Sequence, residues 1–557
     1  MASMASSLFT GERVVVLFVL ARIVFSTSIS IFPFESLSLS LLACAALFVE
    51  ISVENSTTVN FNVRPGASSG ILLGTVTLPT VVFSKLIQLS RGLRLAEVAI
   101  TEFQYQKLLF WTTSISCFSI LLFLGLVTRY PSRNRLELKC GFACLMLSAQ
   151  LYLILPLDGF DHGMHLVLIL MWMLGHGVAA VKLIQHILYT FPSCASIGEA
   201  LLVTAGLTTY FGDMLRSTLF KAIQRFVSEV DERYRIKRSE ISAIIQGYLL
   251  GLLLFPLFFK FCVRITSLFS NSSSYNARTW NEIGHSLLFF SLLTVISATI
   301  IPLWLQFVQD FNLHPLWWVL EFVFSEPLKR LSLCIYWVGV ICVSVHRFYN
   351  ISKSSKVERI LLRKYYHLMA VCMFVPALVL QPNFLNLSFG AALAAFLVLE
   401  IIRVWRIWPM GKMIHLFMNA FTDHRDSDLL IVSHFSLLLG CALPIWISSG
   451  FNDRPLAPFA GILSLGIGDT MASMVGHKYG VLRWSKTGKK TIEGTAAGIT
   501  SVLAACSFLL PLLASTGYIQ NWSSLLLAVV ASGMLEAYTA QLDNAFIPLV
   551  FYSLLCL

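Results

Sequence analysis

Residues 241–262 read ISAIIQGYLLGLLLFPLFFKFC, with Lys260 the one charged side chain among them. As a helix this stretch rises about 33 Å at 1.5 Å per residue, enough to cross a hydrocarbon core of about 30 Å. A helix satisfies its backbone hydrogen bonds within one segment, whereas an unpaired backbone group in lipid costs several kcal/mol. Comparable stretches recur from end to end, near 13–32, 36–52, 108–128, 163–189 and 284–307, and eight or nine spans are expected in the first 350 residues. Of the 557 residues 57% are hydrophobic and 12% charged, a balance that no soluble domain of this size needs to fill its core. The expectation is an all-α polytopic membrane protein, a multi-helix bundle of roughly 13–15 spans. A barrel would show short alternating strands instead.

The net charge of +11, from 40 basic and 29 acidic residues, could suggest nucleic acid, but these charges are scattered through short loops between spans. Membrane topology explains them, and no nucleic-acid partner is expected. The 12 cysteines sit mostly singly inside apolar segments, as Cys334, Cys342, Cys372, Cys441 and Cys506 do, which points to neither a disulfide framework nor zinc. The Ser-rich opening leaves no room for a long amphipathic presequence before the apolar run at 14–20. The longest polar interruption, 216–240, mixes Arg225, Arg233, Arg235, Lys237 and Arg238 with Glu229, Asp231 and Glu232, and reads as a solvated helix on the cytosolic side.

In the last 200 residues loop charge alternates between the two membrane faces. Lys353, Lys356, Arg359, Arg363 and Lys364 precede one span; Arg403, Arg406, Lys412 and Arg425 crowd a second connection; Lys478, Arg483, Lys486, Lys489 and Lys490 crowd a third. The positive-inside rule places all three in the cytosol. The sequons at Asn386 and Asn521 then fall in loops assigned to the lumen, while Asn350 lies beside a cytosolic loop, so sequons alone decide little.

With this topology five polar clusters of the C-terminal half share one face: Arg363-Lys364 with His367, Arg425-Asp426 with His434, Asp469, Lys489-Lys490-Thr491 with Glu493, and Glu536 with Asp543-Asn544. Asp469 lies in Gly466-Ile467-Gly468-Asp469-Thr470 near the cytosolic end of an apolar span, where an ionisable group is expensive and usually functional. The repeat of Gly468, Ala472, Gly476 and Gly480 is a small-residue stripe for close helix packing, which explains the glycines but not the carboxylate. Lys489 and Lys490 follow a Gly-containing turn, and Glu493 opens the next helix. Two ammonium groups, a helix start and a carboxylate suit a nucleoside triphosphate carrying Mg²⁺, with a lipid-facing basic patch as the bland alternative. Glu536 and Asp543, seven apart, would share a helical face; a polar turn between spans is the other reading. Glu400 and Arg403 suit a helix-end ion pair. Asp158, Asp161, His162 and His165 read as a lumenal polar loop rather than a metal site.

Gly468-Asp469-Thr470-Met471-Ala472-Ser473, followed by Lys489-Lys490-Thr491-Ile492-Glu493-Gly494-Thr495, resembles the signature of the CTP-dependent polyprenol kinases. It is also similar to that of the CDP-diacylglycerol synthases. Arg363-Lys364-Tyr365-Tyr366-His367-Leu368, Asp423-His424-Arg425-Asp426-Ser427 and Ser433-His434-Phe435 narrow the resemblance to the dolichol kinase branch. Phytol kinases are about half as long. His424 stands where many relatives carry an acidic residue, so it is left out of the metal shell. The resemblance covers residues 352–557, giving an N-terminal transmembrane region of unassigned role at 1–350 and a catalytic region at 351–557.

The resemblance implies transfer of the γ-phosphate of CTP to dolichol or a related polyprenol in the bilayer, at the cytosolic face of the endoplasmic reticulum membrane. The dolichyl phosphate formed would serve protein glycosylation and GPI-anchor precursor synthesis. It implies Mg²⁺ or a similar cation at Asp469, Glu493, Asp543 and Asn544. Nucleotide or phosphate would be bound by Arg363, Lys364, His367, Arg425, Gly468, Thr470, Lys489, Lys490, Thr491 and Gly494. Asp469, Asp426, His434 and Glu536 remain open as the group that takes the alcohol proton. The alternatives are a phytol or farnesol kinase, a cytidylyltransferase releasing pyrophosphate, or a secondary transporter with ion-binding Asp469 and Glu400. Residues 1–350 hold no second copy of the 469–495 pattern, as the repeated halves of a transporter would require. Oligomeric state is not legible.

Overall fold

The computed structural model describes residues 10–26, 31–56, 61, 63–64, 68–129, 163–226, 238–269, 277–309, 311–354, 359–419, 430–484, 490–513 and 521–557; the side chains of 163–168, 226, 267–269, 277–282, 348–354, 359–363, 417, 419, 433 and 434 are outside the description. Among the described residues every regular element is a helix, with one isolated antiparallel bridge between Arg483 and Thr491. In chain order these are α1 (Gly11–Ser26), α2 (Pro33–Glu54), α3 (Ile71–Arg94), α4 (Ile100–Arg129), α5 (Gly163–Thr190), α6 (Ile197–Phe226), α7 (Glu240–Phe269), α8 (Ala277–Val295), α9 (Ile301–Gln309), α10 (Pro315–Ser325), α11 (Pro327–Ser354), α12 (Arg359–Leu380), α13 (Pro382–Trp405), α14 (Gly411–Asn419), α15 (Val432–Ile447), α16 (Thr470–Tyr479), α17 (Ile492–Leu512), α18 (Trp522–Tyr538) and α19 (Asp543–Leu555). Two π-helical stretches, Ile296–Ile300 and Ile462–Asp469, run into α9 and α16.

Eight of the described helices are long and apolar enough to cross a membrane, and five shorter ones are apolar too. The chain is an all-α polytopic membrane protein. Several helices outrun the apolar windows that announce them, 36–52 growing to Pro33–Glu54 and 108–128 to Ile100–Arg129, because flanking polar residues continue the helical hydrogen bonding. The short loop expected near 381–388 is corrected: only Gln381 is non-helical there, and Pro382, whose missing N–H suits a first helical position, starts α13 at once. Asn386 is therefore inside a helix with its side-chain oxygen buried, and it gives no support to the topology. Asn521 caps α18, accepting the Ser523 and Ser524 backbone N–H groups at 3.1 and 3.5 Å. Residues 158, 161 and 162, and residues 227–237 of the long polar stretch, lie outside the described residues.

The helices form two compact units that interleave along the chain, one drawn from Met1–Asp213, Asn350–Val371 and Leu443–Leu557, the other from Met214–Tyr349 and Cys372–Ala442. In the first unit α3 is almost wholly buried. Its polar residues Thr75, Thr77, Thr80, Ser84, Lys85 and Gln88 are all inside, an arrangement open to a central helix that meets protein rather than lipid on every side. Thr77 returns its hydroxyl to the Leu73 carbonyl at 2.6 Å, while Lys85 donates to the Phe451 carbonyl at 2.7 Å and Gln88 to the Asn452 side chain at 2.6 Å. Close approach of α3 to the start of α6 rests on glycine: a Cβ on Gly74 would stand 2.3 Å from the Gly198 carbonyl oxygen, and one on Gly198 would stand 2.0 Å from that of Gly70.

The second unit is held by α7 packed on α13, where Gly390 admits Ile245; a Cβ there would lie 2.6 Å from that side chain. Phe255, Phe259, Phe289 and Trp405 form an aromatic cluster, with Phe259 stacked on Trp405 at 4.9 Å between ring centroids. Glu400 and Arg403 make a buried two-point ion pair at 2.7 and 2.8 Å, and Glu400 also accepts the Ile431 backbone N–H at 3.0 Å. Both carboxylate oxygens are thereby engaged, Oε1 twice, the condition under which a charge persists in an apolar interior.

Candidate active site

The first unit gathers the polar groups of the C-terminal helices. Asp469 closes the π-helical stretch Ile462–Asp469, where the backbone is wound wider than in an α-helix, a local irregularity frequent at functional sites. Its carboxylate is only 3% exposed at the residue level and is bound by the Lys364 ammonium from α12. His367 Nδ1, one turn along α12, lies 3.2 Å from the same carboxylate oxygen and 3.2 Å from the Leu465 carbonyl. Two acceptors on one ring nitrogen make Nδ1 the donor. Ser473 reaches the other Asp469 oxygen at 3.4 Å, and Thr470 donates to the Lys364 carbonyl at 3.4 Å.

This juxtaposition depends on a glycine. A Cβ on Gly466 would sit 2.2 Å from a Val371 methyl group, so only glycine lets α12 lie against the π-helical backbone and deliver Lys364 and His367 to Asp469. On the opposite side Gly468 and Gly498 bring α17 close; a Cβ on Gly498 would stand 3.0 Å from the Gly468 carbonyl oxygen. Gly494 packs against Ala472 and Gly476 in the same way; a Cβ on it would stand 2.5 Å from the Ala472 carbonyl oxygen and 3.1 Å from the Gly476 Cα. The small-residue stripe is thus the seam between α16 and α17.

The connection from α16 to α17 doubles back on itself. Ile492 N–H donates to the Leu482 carbonyl at 2.8 Å and Trp484 N–H to the Lys490 carbonyl at 3.2 Å. Thr491 caps α17, its hydroxyl accepting the Gly494 N–H at 3.2 Å. Glu493, expected among metal ligands, accepts the Leu482 backbone N–H at 3.0 Å and closes this hairpin. Lys490 turns inward and donates to the Glu536 carbonyl.

Glu536 and Asp543 do not share a helical face, because α18 ends at Tyr538 and the extended residues Thr539 and Leu542 flank the turn before α19 opens at Asp543. The turn still leaves both acids within electrostatic reach of Lys364. The Lys364 charge feels Asp469, Asp543 and Glu536, and that of Glu536 feels Asp469, Lys490, Lys364 and Asp543. Glu536 thus lies within electrostatic reach of Lys364, Lys490, Asp469 and Asp543. Asn544 is buried beside them.

A cavity of about 20 Å³ opens among Ser464, Gly468, Thr495, Gly498, Gly533 and Glu536, with Ile499, Val502, Val529, Ile547 and Phe551 along its apolar side. This is room for one water-sized group. Among the described residues no three His, Cys, Asp or Glu side chains form a ready-made metal set. Lys489, Arg425 and Asp426 lie outside the described residues, as do the side chains of Arg363 in α12 and His434 in α15.

A family model described as dolichol kinase matches residues 178–445. The chain is 59% identical over its whole length to the Arabidopsis thaliana protein "Dolichol kinase EVAN", with the whole of that relative covered. It is 31% identical to the Homo sapiens "Dolichol kinase", over 67% of each chain, and 36% identical to the Schizosaccharomyces pombe "Dolichol kinase sec59", over 42% of this chain and 49% of that one. No solved structure is significantly similar. Full-length identity at this level joins the sequence signature and the buried charge cluster in one assignment: the chain belongs to the dolichol kinase family.

Proposed function

We infer that the protein phosphorylates dolichol with the γ-phosphate of CTP, at the cytosolic face of the endoplasmic reticulum membrane, through the cluster built on Asp469. The observation that carries this reading is the buried cluster of Lys364, Asp469 and His367, with Lys490 bonded to the Glu536 carbonyl, among apolar helices. A polyprenol stays in the bilayer and a nucleoside triphosphate stays in water, so their reacting atoms can meet only where a polar site abuts apolar helices. Lys490, at the base of the 482–492 hairpin, and Lys364 supply positive charge to triphosphate oxygens, with Lys489 beside them in sequence.

The oxygen donors Asp469, Glu536, Asp543 and Asn544 are of the hard class that Mg²⁺ takes. The absence of a preformed cage among the described residues suits an ion held by one or two carboxylates together with nucleotide phosphates. Bound there, Mg²⁺ would neutralise phosphate charge. Asp469, bonded to Lys364, His367 and Ser473, also fixes Lys364 and His367 in place. Glu536, whose side chain borders the cavity, is the better placed group to accept the alcohol proton, and hydroxyl-sized room lies against it. Attack of the alcohol oxygen on the γ-phosphorus forms the phosphate ester and breaks the bond to the β-phosphate oxygen, releasing CDP.

Purified protein in liposomes containing dolichol, supplied in parallel with α-labelled and γ-labelled CTP, tests the assignment. Label should enter the lipid from the γ position only. Label from the α position, with pyrophosphate released, would indicate nucleotidyl transfer and overturn the reading.

A further inference from the structure

The turn that carries Glu536 at one end and Asp543 at the other is gripped from the N-terminal third of the chain. Arg64 and Glu199, both buried, form an ion pair at 2.7 Å. Each also holds the turn: Arg64 donates to the Ala540 carbonyl at 3.2 Å, and Glu199 accepts the Leu542 backbone N–H at 2.7 Å. The second Glu199 oxygen accepts the Ser196 N–H at 2.9 Å, which fixes the carboxylate at the start of α6. Between these points Gln541, 1% exposed, donates to the Ser68 carbonyl at 2.9 Å and hydroxyl at 2.8 Å and accepts the Ser196 hydroxyl. Gly70, at φ +61°, leaves the space that the Gln541 amide occupies; a Cβ there would be 2.3 Å from it. From α1, Glu12 reaches the Thr539 side chain and the Ala540 backbone.

Four consecutive residues, Thr539 to Leu542, are thus each tied to groups more than three hundred positions away in sequence. A turn between two membrane helices needs no such harness to be stable, since water or headgroups satisfy it. A buried ion pair is also a poor source of stability, because the cost of desolvating both charges offsets most of their attraction, whereas it is well suited to fixing one geometry. We propose that Arg64 and Glu199 are positioning residues for phosphoryl transfer, holding the 539–542 turn so that Glu536 and Asp543 keep their spacing about the reacting phosphate. This inference rests on the proposed function for the roles of those two acids. It gives the N-terminal region a part in the active site that no motif there announces.

The test compares wild-type protein with Glu199→Gln, which keeps an acceptor for the Leu542 N–H but deprives Arg64 of its counter-charge, and with Arg64→Met. Hydrogen exchange of the 539–544 amides is read alongside CTP-to-dolichol turnover and the melting temperature. Expected are faster exchange confined to this segment and a kcat lowered about 10-fold or more, with KM for CTP within about twofold, in protein that melts cooperatively. The doubly substituted chain should be no worse than the poorer single variant. Unchanged exchange, or activity that falls only in step with the folded fraction, would overturn the proposal. If Arg64→Met does not accumulate, Glu199→Gln decides. Failure of the wild-type protein to transfer phosphate would sink the functional reading, while the exchange experiment would still show whether the harness exists.

Discussion

The Lys364 ammonium and the Asp469 carboxylate are bound to each other across 105 residues of chain, in a setting where His367 faces the same carboxylate oxygen. Neither charge is tolerable alone in that interior, and removing one partner of a buried pair costs about 3–5 kcal/mol. Lys364→Met should therefore lower both the melting temperature and turnover, the latter about 100-fold or more. Adding Asp469→Asn should restore much of the melting temperature but none of the turnover. A double-mutant cycle on the two readouts checks this, and additive losses of stability would show that the pair is not coupled.

Glu536 is assigned the alcohol proton. Glu536→Gln keeps the shape of the side chain and should reduce kcat by about 10²–10⁴-fold while leaving KM for CTP close to wild type. Steady-state kinetics with both substrates varied distinguish this from a nucleotide-binding role, in which KM for CTP would rise instead.

The approach of α12 to the π-helical stretch is set by Gly466. Gly466→Ala drives a methyl group into Val371 and should destabilise the protein by about 1–3 kcal/mol, with a fall in activity as Lys364 is displaced. Val371→Ala in the same chain should recover most of both. Thermal unfolding and turnover of the single and double variants are the measurements; no recovery in the double variant would mean the contact is not what requires glycine.

Much of this is legible in the sequence. Spans declare themselves by length and apolarity, and Asp469, Lys490 and Glu536 stood out because an apolar chain has few reasons to keep charges. What stayed hidden was set by tertiary contact. The wider winding at Ile462–Asp469 has no signature beyond glycines that also suit ordinary packing. That Glu493 closes a hairpin while Asp543 lies within electrostatic reach of Lys364 depends on where α17 and α19 begin rather than on residue type. Asn386 looked like a loop residue because the stretch around it lacks charge, yet Pro382 begins a helix there. Arg64 and Glu199 are single charges in unremarkable surroundings, and only the fold brings them to the 539–542 turn.

At the other end of α3, outside the apolar spans, Asp453 accepts two bonds from Arg91, at 2.6 and 3.0 Å. Partial burial pushes its carboxyl up, but the Arg91 bonds and charge, helped by Gln88, outweigh that and hold it below the ordinary carboxylate range. A carboxyl depressed in the folded state contributes stability above its unfolded value, near 4, and loses it as pH falls through the folded value. Asp453→Asn should thus lower stability at pH 7 by on the order of 1 kcal/mol for a partly exposed pair, read as a lower melting temperature, and the difference from wild type should shrink below about pH 4. A gap that is constant with pH would assign the loss to packing instead.

Asp469 is the proposed organiser of the transfer site. The most direct measurement is the rate at which γ-labelled CTP labels dolichol in liposomes reconstituted with wild-type or Asp469→Asn protein, both shown to be folded by cooperative melting. The predicted result is labelled lipid from the wild type and at least about a 100-fold slower rate from the variant. Transfer by Asp469→Asn at the wild-type rate would contradict it.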